Sequence, residues 1–427
     1  MPPLQGVGCA GLSWPCPSAQ EKIFSPRSAL AMKASVHEDS MKYDFDAVYD
    51  RRGTQSFKWD YNGHYFGNPA VLPFWVADMD FPCAQPIVAA LKERAEHRIY
   101  GYTERSPSFS EAILEWLRTR HGWIVDKDWL VFCPPGIIPA IDILLGLTTH
   151  KGDSVVIQTP AYLPLEDVIA RNNVIIENPL IQRQTGYEFD FDHLAACIRR
   201  DTRALLLCSP HSPTGRVWTL QELETLADIC RRHGILVISD EVYADVLLFG
   251  NRHHHFGCLP GEYGYRSVTC ISAGKTFNIS GLQLSTLIIQ DPELRAAFKR
   301  HLGVLQMTQG NLFGEIAAEA AYRQGADWLD QVIAYVEGNV RFLEEYVSEH
   351  LPNVRAFLPQ GSYLAWLDFG AFGKPVADLN QRLIHRAGVA LYEGRYFGTT
   401  EPYYRMNLAC PRIYLETALC RMKRALF

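Results

Sequence analysis

Six short apolar runs punctuate the middle of the chain, at 154–158, 174–177, 204–208, 235–239, 268–271 and 285–289. They are too short for helices, and amphipathic stretches such as 220–233 separate them. Two neighbouring strands can run parallel only if a crossover on the order of a dozen residues joins them, usually a helix. The alternation therefore predicts β-α-β crossovers and a mostly parallel central sheet covered on both faces. The expected fold is α/β. A large domain spans 85–325, and a smaller α/β domain is assembled from an N-terminal segment (41–84) and a C-terminal one (326–427). Residues 1–40 are rich in Pro, Ser and Gly without sustained periodicity and read as a disordered extension.

Composition narrows the function classes. The chain has 427 residues, of which 48% are hydrophobic and 21% charged, enough to bury the cores of two domains. A net charge of −6 offers no basic face to nucleic acid or to an anionic membrane. No apolar run approaches the ~20 residues of a membrane span. The 11 cysteines are scattered, odd in number and without CxxC pairs, which points to reduced thiols, no disulfide framework and no zinc site. A cytoplasmic location is expected. Lys22, Arg27 and Lys33 leave organellar targeting open, although Glu21 and the prolines make a poor transit helix. His253-His254-His255 reads as a polar loop, because no partnered Cys or carboxylate pattern surrounds it.

The ends of two apolar runs carry chemistry. Ser272-Ala-Gly-Lys275-Thr-Phe-Asn278 follows the run at 268–271, so a strand ends in small residues and presents one lysine before a turn. Partial burial lowers such an amine's pKa and frees its nitrogen as a nucleophile. Asp240 ends the run at 235–239, with Tyr243 three residues on. Open α/β sheets bind ligands outside the carboxyl ends of their strands. A carboxylate held there can keep a pyridine nitrogen protonated, the electron sink on which pyridoxal phosphate (PLP) chemistry depends.

Other stretches fall along the same edge. Gly136 opens an apolar helix running to about Leu147, where backbone amides can close on an anion. Tyr162, in Thr159-Pro-Ala-Tyr162, can lay its ring against a planar group. Ser209-Pro-His-Ser-Pro-Thr-Gly215 is a turn cluster. Tyr100-Gly-Tyr102 is either a turn with packed rings or a phenol that reaches a phosphate in a neighbouring subunit. In the loop 72–82, Trp75 and Phe81 are expected as core anchors and 76–80 at a pocket mouth. Arg405, on a C-terminal strand, is poised to clamp a carboxylate with two parallel hydrogen bonds; a surface salt bridge is the alternative.

Taken together, these residues resemble the fold-type I PLP enzymes, the class I and II aminotransferase family. Trp75-Val-Ala-Asp-Met-Asp-Phe81, Tyr43-Asp-Phe-Asp46, Lys275-Thr-Phe-Asn278 and Asn407-Leu-Ala-Cys-Pro-Arg412 are similar to its cystathionine β-lyase, or C–S lyase, branch. The resemblance covers 41–427. It implies that Lys275 bonds covalently to the cofactor aldehyde and later moves protons, with Tyr162 stacked on the ring beside it. Asp240 would pair with the pyridine nitrogen and Tyr243 with the 3′-oxygen. Gly136, Ile137, Ile138 and Ser272 would hold the phosphate. The partner subunit's Tyr102 would add a phosphate contact, which implies a homodimer. Arg405 would bind the α-carboxylate of an amino-acid substrate.

The chain departs from the family at Ser209 and Ser212, where relatives carry Asn-Pro-His-Asn-Pro-Thr-Gly; a serine at 212 would reach the 3′-oxygen through water. Ala273 and Gly274 replace part of a Ser-Pro-Ser-Lys pattern, which removes a phosphate hydrogen bond worth on the order of 1 kcal/mol. The implied reaction is α,β-elimination from a cysteine-type thioether to thiol, pyruvate and ammonia. An aminotransferase, which shares the early steps, and a non-catalytic PLP-fold binding protein are the alternatives.

Overall fold

Every one of the six apolar runs forms a strand. The computed structural model describes residues 42–427, so the extension expected over 1–40 lies outside the described residues. In chain order the strands of the large sheet are β1 (Leu130–Cys133), β2 (Ser154–Thr159), β3 (Val174–Pro179), β4 (Thr202–Cys208), β5 (Leu236–Asp240), β6 (Ser267–Ile271) and β7 (Ser285–Ile289). They lie side by side as β1-β7-β6-β5-β4-β2-β3. From β6 through β5, β4 and β2 to β3 every pair is parallel, whereas β7 runs antiparallel to both β6 and β1. The inner parallel strands β2, β4, β5 and β6 are covered on both faces, which is why their sequences are continuous apolar runs, whereas the edge strand β3 is partly exposed. Val155, Val156, Ala204, Leu205 and Ile238 are wholly buried.

The crossover helices follow from local signals. After β1 comes α1 (Ile137–Thr148), and between β4 and β5 lies α2 (Leu220–His233). Thr219 and Glu222 form a capping box at the head of α2, and Gly234 ends it in the left-handed conformation at φ 68°. Leu223, Leu226, Ala227 and Cys230, at helical spacing, bury its inner face.

A second, antiparallel sheet contains β8 (Arg355–Phe357), β9 (Leu364–Asp368), β10 (Tyr392–Glu393) and β11 (Tyr403–Asn407), in the order β8-β9-β11-β10. Arg405 sits in the middle of β11, opposite Trp366 on one side and Tyr392 on the other.

The loop 75–81 is tied to both sheets. Trp75 and Phe81 are buried, as expected of core anchors. The Asn407 side-chain amide at the end of β11 donates to the carbonyls of Val76 (2.7 Å) and Asp78 (2.6 Å). From the turn after Lys275, Asn278 donates to the Phe81 carbonyl (2.8 Å) and accepts from the Met79 amide (2.9 Å). Buried Asp80 takes hydrogen bonds from Lys58 (2.6 Å), Arg51 (2.7 Å) and the Trp59 indole (2.8 Å). A buried carboxylate with three donors is stable where a lone one would not be. Among the described residues no helix is long and apolar enough to cross a membrane.

Candidate active site

The carboxyl ends of β4, β5 and β6 open onto a cavity of about 330 Å³ that Lys275, Asp240, Arg405, Tyr162, Tyr243 and Ser212 all line. Lys275 sits on a one-turn helix (Ala273–Thr276) immediately after β6, and its Nζ donates to the Ala77 carbonyl at 2.7 Å. Burial, reinforced by the nearby Arg405 guanidinium, lowers its pKa to about 8 against the pull of Asp78 and Asp240. A useful fraction of the amine is therefore neutral near pH 7, the state a nucleophile or proton acceptor requires.

Asp240 ends β5, and burial raises its pKa to about 6. Its Oδ1 accepts only the long backbone bond from Val242, at 3.3 Å. Burial likewise raises the Tyr243 and Tyr162 phenols, so both remain protonated donors at neutral pH.

Arg405 is 4% exposed and pairs with no carboxylate among the described residues, which removes the surface salt-bridge reading. Nη1 donates to Ser212 Oγ and Nη2 to the Trp75 carbonyl, each at 3.2 Å, while buried Nε has no partner. A buried guanidinium with only long, neutral acceptors and an orphan N–H is a site awaiting an anion.

At the far wall Gly136 precedes α1 at φ 104°, a conformation open to glycine, and Ile137 and Ile138 form the helix's first turn. Amides in that turn have no intrahelical acceptor and point out of the helix head. Ser272 lines the same space, but its hydroxyl donates to the Leu284 carbonyl (2.7 Å) and accepts the Gly274 amide (3.1 Å). Of the loop 76–80, Val76 and Ala77 line the cavity. Among the residues expected to hold cofactor or substrate, only Tyr102 lies outside it. Its side chain is 97% exposed, so it is not a ring packed on its own chain.

The sequence profile of the aminotransferase class I and II family matches residues 71–421. The chain belongs to this family. Cystathionine beta-lyase PatB of Bacillus subtilis is 40% identical over 386 residues, covering 90% of this chain and 100% of that protein. Cystalysin of Treponema denticola, whose structure contains a pyridoxal 5′-phosphate cofactor, superposes with a TM-score of 0.87 at 31% identity, covering 90% of this chain and 99% of that one. The PLP-bound C-S lyase of Staphylococcus hominis superposes with a TM-score of 0.84 at 30% identity, over 90% and 98% of the two chains.

As a class I and II aminotransferase-family member, the protein has the fold-type I architecture, and PLP is its cofactor. The residues present fit that group. A buried acid without a cationic hydrogen-bond partner matches a protonated ring nitrogen, a lysine of lowered pKa matches an aldehyde, and the helix head at Gly136 matches a phosphate.

The structure corrects the reading of the histidine run. His253 and His255 are buried, and the Oε2 oxygen of Glu241 accepts from both His253 Nε2 (2.9 Å) and His255 Nδ1. Glu241 Oε1 accepts from the Ser239 hydroxyl (2.7 Å) and the Phe256 amide (2.9 Å). The potential metal-ligating atoms of these three residues lie within 4.8 Å of one another, but the chain's own donors occupy both carboxylate oxygens. What reads from the sequence as a polar loop is a buried hydrogen-bond cluster beside Asp240, in which His253 Nδ1 and His255 Nε2 have no partner among the described residues. Sequence reasoning also missed Phe57 and Tyr392, both of which line the cavity. Only a surplus of aromatic residues near 57–66 and 392–397 hinted at them.

Proposed function

We propose that the protein is a PLP-dependent C–S β-lyase that converts a cysteine-type thioether and water into a thiol, pyruvate and ammonia. The observation carrying this reading is the convergence of Lys275, Asp240 and Arg405 on one cavity, in a chain that aligns over the full length of a cystathionine β-lyase.

When bound, PLP supplies a protonated pyridine ring that withdraws electrons from the substrate Cα. Asp240 holds that ring nitrogen protonated, and its charge is then compensated instead of isolated. Tyr243 donates its phenolic proton toward the 3′-oxygen, and Tyr162 covers the ring. The amides of Ile137 and Ile138 and the turn at Gly136 hold the phosphate, with Ser272 orienting the Gly274 amide beside them. Arg405 fixes the substrate α-carboxylate, held in place by its bonds to Ser212 and the Trp75 carbonyl. Lys275 Nζ removes the Cα proton and returns it to the sulfur as the Cβ–S bond breaks.

The working form is a homodimer in the cytoplasm. Ile99, Tyr100 and Tyr102 form an exposed apolar strip with no role in their own chain's cavity, and the partner subunit's Tyr102 completes the phosphate site. The free cysteines of the described residues suit a reducing compartment.

The test is product identification. Purified holoenzyme incubated with cysteine thioethers and no keto acid is expected to release pyruvate and thiol in equal amounts, and Lys275→Ala to abolish both while keeping its circular dichroism. Strict dependence on an added keto acid would instead make the protein an aminotransferase.

A further inference from the structure

An aromatic wall leads from the carboxylate clamp to solvent. The Arg405 guanidinium carbon lies 5.2 Å from the Tyr392 ring centroid. Tyr392 is followed by Trp75 at 6.0 Å, and Trp75 by Phe57 and Tyr65, each at 5.0 Å. Trp75 is fixed, because its indole N–H donates to Asn62 Oδ1 at 3.1 Å and the ring is buried. Phe57, which also lines the cavity, is 50% exposed, and its neighbours Tyr61 and Tyr65 are 47% and 43% exposed. Large half-exposed rings in a continuous patch mark a surface that gains by being covered.

The cavity's charges are already committed. Its charged lining residues are Asp240, Lys275 and Arg405, and the lyase reading uses them for the cofactor ring, the Cα proton and the α-carboxylate. The sulfur substituent is the part of the substrate left to meet the aromatic wall. In cystathionine that substituent carries both an ammonium and a carboxylate. Against aromatic faces with no counter-ion, the carboxylate would lose hydration without compensation and a cation–π contact would offset only part of the ammonium's loss.

We infer that the preferred substrate is a cysteine S-conjugate whose sulfur bears a large planar aromatic group, and that Phe57 sets this preference. The inference rests on the lyase reading and names its substrate class. The bonds balance. In R–S–CH2–CH(NH3⁺)–COO⁻ the Cβ–S bond breaks with its electron pair going to sulfur, which takes the proton lifted from Cα. Water then replaces the nitrogen on the three-carbon remainder, so RSH, pyruvate and ammonium leave. No oxidant or reductant is needed.

The test has a kinetic and a binding arm. Thiol and pyruvate release are measured for S-benzyl-L-cysteine, S-methyl-L-cysteine and L-cystathionine, with the wild type, Phe57→Ala and Phe57→Tyr. The wild type is expected to favour the benzyl substrate in kcat/KM by on the order of tenfold over each of the others. Phe57→Ala is expected to reduce the benzyl-to-methyl ratio by about the same factor, mainly through KM, and Phe57→Tyr to restore it. In the binding arm, calorimetry follows S-benzyl-α-methylcysteine and S-methyl-α-methylcysteine, which have no Cα proton to lose. Tighter binding of the benzyl ligand to the wild type, weakened in Phe57→Ala, supports the inference. A preference for cystathionine, or a benzyl-to-methyl ratio indifferent to Phe57→Ala in a variant with unchanged circular dichroism, overturns it. If no thioether yields pyruvate the lyase reading falls, and the binding arm still decides whether this wall selects an aromatic group: equal binding of the two ligands refutes it.

Discussion

Lys275→Met should stabilise the cofactor-free protein while abolishing its activity. Burial takes the Lys275 amine from its ordinary 10.5 to about 8. With each pKa unit equivalent to about 1.4 kcal/mol, keeping this amine charged in the fold costs roughly 3 kcal/mol below pH 8. Methionine fills a similar volume without a charge. The substitution removes the bond to the Ala77 carbonyl, but that oxygen still accepts from the Tyr363 hydroxyl at 3.1 Å. The loss is therefore about 1 kcal/mol and the net gain about 2 kcal/mol at pH 7. The sign fixes the pH course. Because the folded pKa is depressed, the cost is complete below about pH 8, falls between 8 and 10.5 as the folded amine alone loses its proton, and vanishes above. Urea unfolding of the two cofactor-free proteins at pH 7 and pH 10, at equal concentrations, measures both effects. A variant less stable than the wild type at pH 7, or a difference that stays constant with pH, refutes the reasoning.

Three further outcomes follow from the same geometry. Asp240→Asn, which removes the charge facing the ring nitrogen, should cut turnover on the order of 10²- to 10⁴-fold with circular dichroism unchanged; steady-state pyruvate release checks it, and a loss under tenfold would count against the role. Arg405→Lys replaces a fork by a point charge at a site that already bonds Ser212 and Trp75, so KM should rise at least about tenfold, with a smaller change in kcat. Glu241→Gln leaves His253 and His255 without their common acceptor and should cost about 2 to 4 kcal/mol in urea unfolding. Burial pushes the Glu241 carboxyl up, but the two imidazoles outweigh it and hold it below the usual range. This contribution is accordingly present above an unfolded pKa of about 4.5 and lost as pH falls through the lower folded value, so the variant and wild type should converge in acid.

The large sheet was legible because parallel strands covered on both faces must be apolar throughout, and amphipathic stretches separate those runs. Leu130–Cys133 escaped, since Pro134 and Pro135 directly after it read as loop. Asp240 and Arg405 could be picked out because each occupies a strand or its end, and Lys275 because it follows a strand within one turn, where topology fixes what a side chain faces. Other parts of the site depend on contacts that no local pattern encodes. The acceptor for Lys275 lies 198 residues away at Ala77. Phe57 and Tyr392 meet only through Trp75. The histidine run was misread because its carboxylate is 12 and 14 residues upstream, beyond a turn and outside any motif spacing.

Asp240 and Glu241 are adjacent, yet only Glu241 has its hydrogen-bonding needs met by the polypeptide. The other depends on a cation that arrives from outside, and this makes vitamin B6 retention sensitive to acidity. Once the ring nitrogen departs, Asp240 tends to pick up a proton below about pH 6. Acid therefore favours dissociation, by up to about tenfold for each pH unit below that point until the loaded form titrates as well. An acidified sample of this protein should lose its cofactor more readily than a neutral one.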